Sequence, residues 1–303
     1  MKVSVVMCTY NGAKFLREQI ETILTQTYPL YELLVFDDAS TDDTVKILKE
    51  YVLNNPLLTI HENDTNIGFA ANFKKALLAA KGDVIAPADQ DDVWMKNKIE
   101  RLLSRWNDKS LMTYCDSVRF QDSIPAKPVS NPLSRRFEGI NPRKIFLFNT
   151  ISGHAMLIKK ELLNIASPIP DNIFYDWWFA VVAAYNGGIV YVDETLVLQR
   201  VHAGNVSISE GFDHSKKSHQ HFYKQMVIKH LNAFKNAVNI PVADKKFVET
   251  FADLLQKSFD ENFCLPLFTF LIRHRNQLFF YKKRKIKLLS HLKHAYRLSS
   301  TYN

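Results

Sequence analysis

Short apolar runs alternate with stretches of helical periodicity through the first 115 residues. Val3 to Cys8 is an uninterrupted apolar run of strand length, and Glu32 to Phe36, Leu57 to His61 and Asp83 to Ala88 repeat the pattern. Candidate helices lie between them. Phe15 to Gln26 carries Phe15, Leu16, Ile20, Ile23 and Leu24 on one face, a segment through Tyr51 has Ser40 and Thr41 as N-caps, and Asn72 to Lys81 is closed by Gly82. Trp94 to Trp106 reads as one more helix. Alternation of this kind predicts an α/β domain with a doubly wound, mostly parallel sheet, covered on both faces, with ligands bound beyond the carboxyl ends of the strands. The polar loops Thr9-Tyr10-Asn11-Gly12, Asp37-Asp38 and Asp89 to Asp92 all fall at such ends, so they should converge in space.

The second half is read more coarsely. Thr150 to Ile158 is a loop entering a buried strand, and Ile173 to Trp178 is a loop entering a helix. Gly187 to His202 reads as a strand, a turn and a second strand ending on a histidine, while Val118 to Arg143, rich in Pro, Ser and charge, reads as a mobile loop.

Composition narrows the class. A chain of 303 residues with 47% hydrophobic and 23% charged residues buries a sizeable core. Three scattered cysteines, Cys8, Cys115 and Cys264, suggest neither a disulfide framework nor a zinc site. The apolar run at the N-terminus is too brief for a signal peptide, and no stretch has the length of a membrane span. A cytoplasmic protein is expected.

Charge changes the picture more than its total of +8 suggests. No acidic residue follows Glu261, whereas Arg273, Arg275, Lys282, Lys283, Arg284, Lys285, Lys287, Lys293 and Arg297 do. Taking these nine from 39 basic residues leaves 30 against 31 acidic ones, so the basicity belongs to the tail. Phe263, Leu265, Phe268, Phe270, Phe279, Phe280 and Tyr281 are interleaved with it, a mixture suited to an anionic membrane surface. An ordinary helical subdomain with a solvated basic face is the alternative; no nucleic-acid motif accompanies the charge.

The candidate chemistry centres on Asp89-Gln90-Asp91-Asp92-Val93-Trp94. A strand ending in several carboxylates delivers hard oxygen ligands to a sheet rim, where a divalent cation and the phosphates it neutralises can sit. Taken alone, the cluster would serve equally as an acidic helix cap. Together with Cys8-Thr9-Tyr10-Asn11-Gly12, Phe36-Asp37-Asp38-Ala39-Ser40-Thr41-Asp42 and Asn66-Ile67-Gly68-Phe69, followed by Asn72-Phe73, it resembles the donor half of a family-two glycosyltransferase with a GT-A fold. The resemblance covers roughly the first 210 residues. It implies a GT-A domain over 1–212, with a donor-nucleotide half to 115 and an acceptor half from 116, followed by a helical basic tail over 213–303.

The resemblance also implies roles. Thr9, Tyr10, Asn11 and Asn72 would line the nucleotide-sugar pocket, and Asp38, or Asp37 in its place, would accept a hydrogen bond from the base. Asp89, Gln90 and Asp91 would form the DxD motif. Asp89 would meet the ribose or the donor sugar, Gln90 would belong to the nucleotide-sugar site, and Asp91, with Asp92 as the alternative, would bind magnesium or manganese. Arg200-Val201-His202 is similar to the family's Arg-x-His, so His202 would be a metal ligand and Arg200 a diphosphate contact. Asp176, in Tyr175-Asp176-Trp177-Trp178, would be the general base of an inverting transfer. Tyr175 stands where the family usually has His. An N-cap aspartate with core tryptophans is the reading from spacing alone. Trp177, Trp178 and His154 would face the acceptor, with the 118–143 loop over it.

The wording of the motifs is most similar to bacterial rhamnosyltransferases of cell-surface polysaccharide. That implies dTDP-L-rhamnose as donor, a polyprenyl-linked glycan as acceptor, and a peripheral position on the inner face of the cytoplasmic membrane. A UDP-hexose or UDP-N-acetylhexosamine donor is the alternative within the fold. A nucleotidyltransferase would be expected to carry a Gly-rich basic loop after the first strand, where this chain has only Gly12 and Lys14. A non-catalytic membrane-associated scaffold is the third reading.

Overall fold

The structure, a computed structural model, describes residues 1–121, 134–171, 173–202, 216–283 and 286–300, without the side chains of 216–219. Residues 122–133 of the expected 118–143 loop, the expected boundary at 212 and two residues of the basic run, 284 and 285, lie outside the described residues.

Eight strands form one sheet: β1 (Val3–Thr9), β2 (Glu32–Asp37), β3 (Leu58–Glu62), β4 (Val84–Ala88), β5 (Val93–Trp94), β6 (Met112–Phe120), β7 (Met156–Lys159) and β8 (Ile189–Arg200). Their order is β3-β2-β1-β4-β7-β6-β8-β5. The first four run parallel, β7 is antiparallel to both β4 and β6, β6 and β8 are parallel, and β5 is antiparallel to β8.

The apolar runs become central strands because both faces are covered. In β1, Val3, Val5 and Met7 enter one buried cluster and Val6 the opposite one, as the two-residue period requires. The first cluster is closed by α1 (Ala13–Leu24), α2 (Thr44–Asn54) and α4 (Lys98–Ser104). The other is closed by α3 (Phe69–Ala79), α5 (Lys160–Ile165) and α6 (Tyr175–Asn186). In α1, Leu16, Ile20 and Ile23 are buried at helical spacing.

Three expectations are corrected. The helix expected from Trp94 begins at Lys98, because Val93 and Trp94 pair with Leu198 and Val197 as β5. Gly187 to His202 is not two strands: β8 runs unbroken for 12 residues, and the Asp193-Glu194 turn is absorbed by register shifts against β6 around Asp116. Phe15 is only half-buried, and it faces the site rather than the core.

Beyond the sheet, α7 (Lys216–Phe234), α8 (Val242–Lys257), α9 (Leu265–Arg273), α10 (Arg275–Leu278) and α11 (Lys287–Ser299) follow. Val227, Leu231, Phe234, Phe247 and Phe251 join Phe146, Trp177 and Phe179 in a single buried cluster. His230 stacks on Trp177 at 4.4 Å and its Nε2 accepts from the Phe174 N–H at 2.9 Å, while Tyr223 donates to the Leu147 carbonyl at 2.6 Å. The C-terminal helices are therefore packed into the α/β core rather than strung out as a tail. Among the described residues no helix is long and apolar enough to cross a membrane.

Candidate active site

The three polar loops meet at the carboxyl ends of β1, β2 and β4. Gln90 and Tyr10 exchange two hydrogen bonds: Gln90 Oε1 accepts from the Tyr10 N–H at 2.9 Å, and its Nε2 donates to the Tyr10 carbonyl at 3.1 Å. Gly12 permits this approach, since a Cβ there would lie 2.1 Å from Gln90 Oε1. Thr9 Oγ1 donates to Asp37 at 2.8 Å, and Asn11 accepts from the Thr41 N–H at 2.8 Å. Ala39 takes a left-handed φ of 60°, which turns Ser40 back so that both its N–H and its hydroxyl donate to Asp37.

Asp38 is buried and braces the next loop, accepting from Asn63 Nδ2 at 2.8 Å and from the Ile67 and Gly68 N–H groups at 2.9 Å. Asn72 is buried too; it donates to the Phe36 carbonyl at 2.9 Å and accepts from Asn63 at 3.0 Å. Both residues brace the loop that follows β3. Tyr10, 47% accessible, and Asn11 are exposed.

The acidic cluster divides into two adjoining groups. Asp91 Oδ2 lies 2.7 Å from His202 Nε2. Asp89, Asp92 and His154 form the other, each offering one ligand atom within 4.8 Å of the others. His154, expected beside the acceptor, sits with its Nδ1 3.3 Å from Asp89 and 3.8 Å from Asp92.

Burial, together with Asp89 and Asp91, pushes the Asp92 carboxyl up to about 7 against the pull of His154. Burial and Asp89 also raise Asp91, with His202 opposing. For His154 burial disfavours the charged ring, but Asp92 and Asp89 outweigh it and the pKa is raised. Asp92 Oδ2 and His154 Nε2 are buried and make no hydrogen bond among the described residues. Crowded carboxylates with an unsatisfied inward oxygen, beside imidazoles, fit a divalent cation: it would relieve the repulsion and take hard oxygen and nitrogen donors.

Arg200 holds this loop in place. Its guanidinium lies over Phe15 at 4.6 Å and Phe120 at 4.5 Å, pairs with Glu18, and donates to the Asp91 carbonyl at 3.0 Å, while its backbone N–H donates to Asp92 at 3.2 Å. Phe15 also packs against His202, at 4.8 Å.

On the opposite side, the turn Gly153–Ala155 carries His154 and reaches α6. Asp176 Oδ2 accepts from the Gly153 N–H at 3.2 Å and Oδ1 from the Trp177 N–H at 2.6 Å. Burial pushes Asp176 up to about 6 against these two bonds. Tyr175 is buried, stacked on Phe73 at 5.0 Å, with its ring edge against Gly153, where a Cβ would meet its hydroxyl at 2.3 Å.

The tryptophans are a correction. Trp177 and Trp178 are 2% and 3% exposed, and their indole N–H groups donate to the Ile145 and Ala166 carbonyls, at 2.7 and 2.8 Å. Their faces are used up in the core, so they cannot stack on an acceptor sugar.

Three supporting residues are not marked as such in the sequence. Lys98 is wholly buried, donates to the His154 carbonyl at 2.6 Å, and lies 3.1 Å from the centre of the Trp94 ring. Burial lowers it to about 7 despite Cys115, Asp92 and Asp89. Glu18 and Phe15 complete the Arg200 cage. In sequence Lys98 and Glu18 look like ordinary solvated helix positions.

Comparison with known proteins places this geometry. The family model for glycosyl transferase family 2 matches residues 4–165. An uncharacterised protein of Mycobacterium tuberculosis is 29% identical over 222 residues, which is 71% of this chain and 63% of that protein, so the chain spans less than two thirds of this relative. WcaA of Escherichia coli, named for a glycosyl transferase role in colanic acid biosynthesis, is 27% identical over 248 residues, 78% of this chain and 83% of its own. Among solved structures, Staphylococcus aureus TarS with UDP-GlcNAc superposes with a TM-score of 0.60 at 18% identity, over 100% of this chain and 93% of that one. The mannosyltransferase PcManGT from Pyrobaculum calidifontis, in complex with GDP-Man and Mn2+, gives 0.57 at 18% identity, over 97% and 85%. At such identities the two structures share the fold. With the family match covering more than half of its residues, the chain belongs to glycosyl transferase family 2.

Proposed function

We propose that the protein is an inverting, divalent-metal-dependent glycosyltransferase. It would move a sugar from a nucleoside-diphosphate donor to a polyprenyl-linked glycan during cell-surface polysaccharide synthesis. The observation that carries this reading is that one short turn joins the two halves of the site: Gly153 donates to Asp176, while the next residue, His154, faces Asp89 and Asp92. The same turn would thereby hold the general base close to the carboxylates that adjoin the metal ligands.

Asp91 and His202, with Asp92 as the alternative carboxylate, would hold magnesium or manganese. The cation, when bound, offsets charge building on the departing diphosphate. Thr9, Tyr10, Asn11 and Gln90 would line the nucleotide side, and Asp38 and Asn72 would fix the loop against which the base rests. Asp176 would take the proton of the incoming hydroxyl. Its raised pKa keeps it a stronger base than a solvated carboxylate while leaving it ionised at neutral pH. Arg200 would serve by holding Asp91 and Asp92, through its side chain and its backbone N–H, with a diphosphate contact as its further role.

The bound GDP-Man and Mn2+ of PcManGT and the UDP-GlcNAc of TarS support a nucleotide-sugar donor with a metal ion. The role for which WcaA is named supports polysaccharide synthesis. dTDP-L-rhamnose rests on the wording of the motifs alone, and a UDP-sugar is its competitor. An acceptor in the cytoplasmic leaflet would put the enzyme at the inner face of the cytoplasmic membrane. Calorimetric titration with dTDP, UDP and GDP, each with and without Mn2+, tests the donor half. One diphosphate is expected to bind with micromolar affinity only when the metal is present; equal binding with and without metal would overturn the metal-dependent reading.

A further inference from the structure

The outer helices carry an apolar face that the transfer chemistry does not use. In α11 the residues turned inward are His291, Ala295 and Ser299, small or polar and spaced one turn apart. Leu289 and Tyr296, 61% and 59% exposed, stand on the outward side, with the half-buried Leu292 between them. This inverts the usual arrangement, in which a helix turns its leucines to the core.

The face extends beyond the helix. The Cys264 N–H donates to the Ser299 carbonyl at 2.7 Å, and Phe263 bridges Ser300, which brings the start of α9 beside the end of α11. Phe263 packs 5.6 Å from Tyr296, and Leu265 is 59% exposed next to it. Lys287, Lys293 and Arg297 are exposed along the same helix. Of the acidic residues in the adjoining loop, Glu261 pairs with Lys257 at 3.4 Å and Asp260 is exposed; after Glu261 the sequence has none.

We infer that the α9–α11 face, built on Phe263, Leu265, Leu289 and Tyr296 and flanked by Lys293 and Arg297, docks on the surface of an anionic phospholipid bilayer. The apolar groups would enter the boundary between headgroups and acyl chains, and the cationic heads would stay with the lipid phosphates. Charge selects this occupant over a second copy of the chain, since pairing two such faces would bring Lys287, Lys293 and Arg297 of both copies together. The inference deepens the peripheral placement proposed above by naming the surface, and its test does not depend on turnover.

The experiment is co-sedimentation of the full chain with phosphatidylcholine vesicles and with vesicles that also contain phosphatidylglycerol. Wild type, Leu289→Glu/Tyr296→Glu and Lys293→Glu/Arg297→Glu are compared at low and high salt, with donor hydrolysis in lipid-free buffer as a parallel readout. Wild type is expected to bind only the anionic vesicles and to release at high salt. Each double variant should bind about tenfold more weakly or less, with its lipid-free hydrolysis unchanged. Equal binding to neutral vesicles, undiminished binding by both variants, or no binding by wild type would overturn the inference. A wild-type dimer in light scattering that Leu289→Glu/Tyr296→Glu makes monomeric would overturn it in favour of a second copy.

Discussion

Asp176→Asn is expected to lower turnover by about three orders of magnitude while nucleoside-diphosphate affinity stays within about twofold, because general-base catalysis contributes on the order of 10²–10⁴. Asn keeps the size of the carboxylate and an oxygen that can accept from Trp177, so the local fold should persist. The wild-type rate should rise with pH through about 6, where Asp176 ionises, and level off above it. Stability runs the other way. A carboxyl whose folded pKa is raised contributes stability fully below its unfolded value near 4, and that contribution is lost as pH rises through about 6. At pH above 7 the Asn variant should therefore melt at or above the wild-type temperature while being nearly inactive. Pre-steady-state and thermal-shift measurements on the same preparation check both halves. An Asn variant that turns over normally would remove Asp176 from the chemistry, and one that is inactive but destabilised would make it a structural residue.

The second large effect concerns the metal. Asp91→Ala should raise the Mn2+ concentration needed for half-maximal nucleotide binding by about a hundredfold, and His202→Ala by about tenfold or more, in line with the loss of a ligand or its close support. Manganese titration followed by the electron-spin signal of free Mn2+ measures this without any turnover. Asp92→Asn is the informative comparison. Should it weaken Mn2+ binding more than Asp91→Ala does, the cation belongs with Asp89, Asp92 and His154. Should neither variant shift the titration, the acidic cluster is a structural cap and the metal reading fails.

Much of this architecture can be read from the chain because parallel strands buried on both faces leave long apolar runs, as Val3 to Cys8 and Asp83 to Ala88 do. The polar residues that interrupt them then mark the carboxyl edge. What was hidden depends on contacts between distant segments. Trp94 reads as helix but pairs with Val197, and Asp193-Glu194 reads as a turn but becomes a bulge against Asp116. Trp177 and Trp178 beside a carboxylate suggest a sugar platform, yet a helix packed on both sides buries them, which is what their spacing alone implied. Lys98 is the clearest case. Nothing local distinguishes a lysine that snorkels to solvent from one buried under the site, and here the His154 carbonyl and the Trp94 ring replace the water it gives up. The cage of Glu18, Phe15 and Phe120 around Arg200 is likewise invisible in the sequence.

Release of nucleoside diphosphate from a panel of sugar donors, dTDP-rhamnose and the common UDP- and GDP-sugars, with and without Mn2+, tests the central claim most directly, with wild type and Asp91→Ala side by side and membrane lipid extract as acceptor. Turnover of one donor that needs Mn2+ and disappears in Asp91→Ala is the predicted result, and it names the sugar at the same time. Turnover that is indifferent to the metal and to Asp91, or no turnover of any donor by a protein shown to be folded, would contradict a metal-dependent glycosyltransferase and leave a chain that keeps the fold without the chemistry.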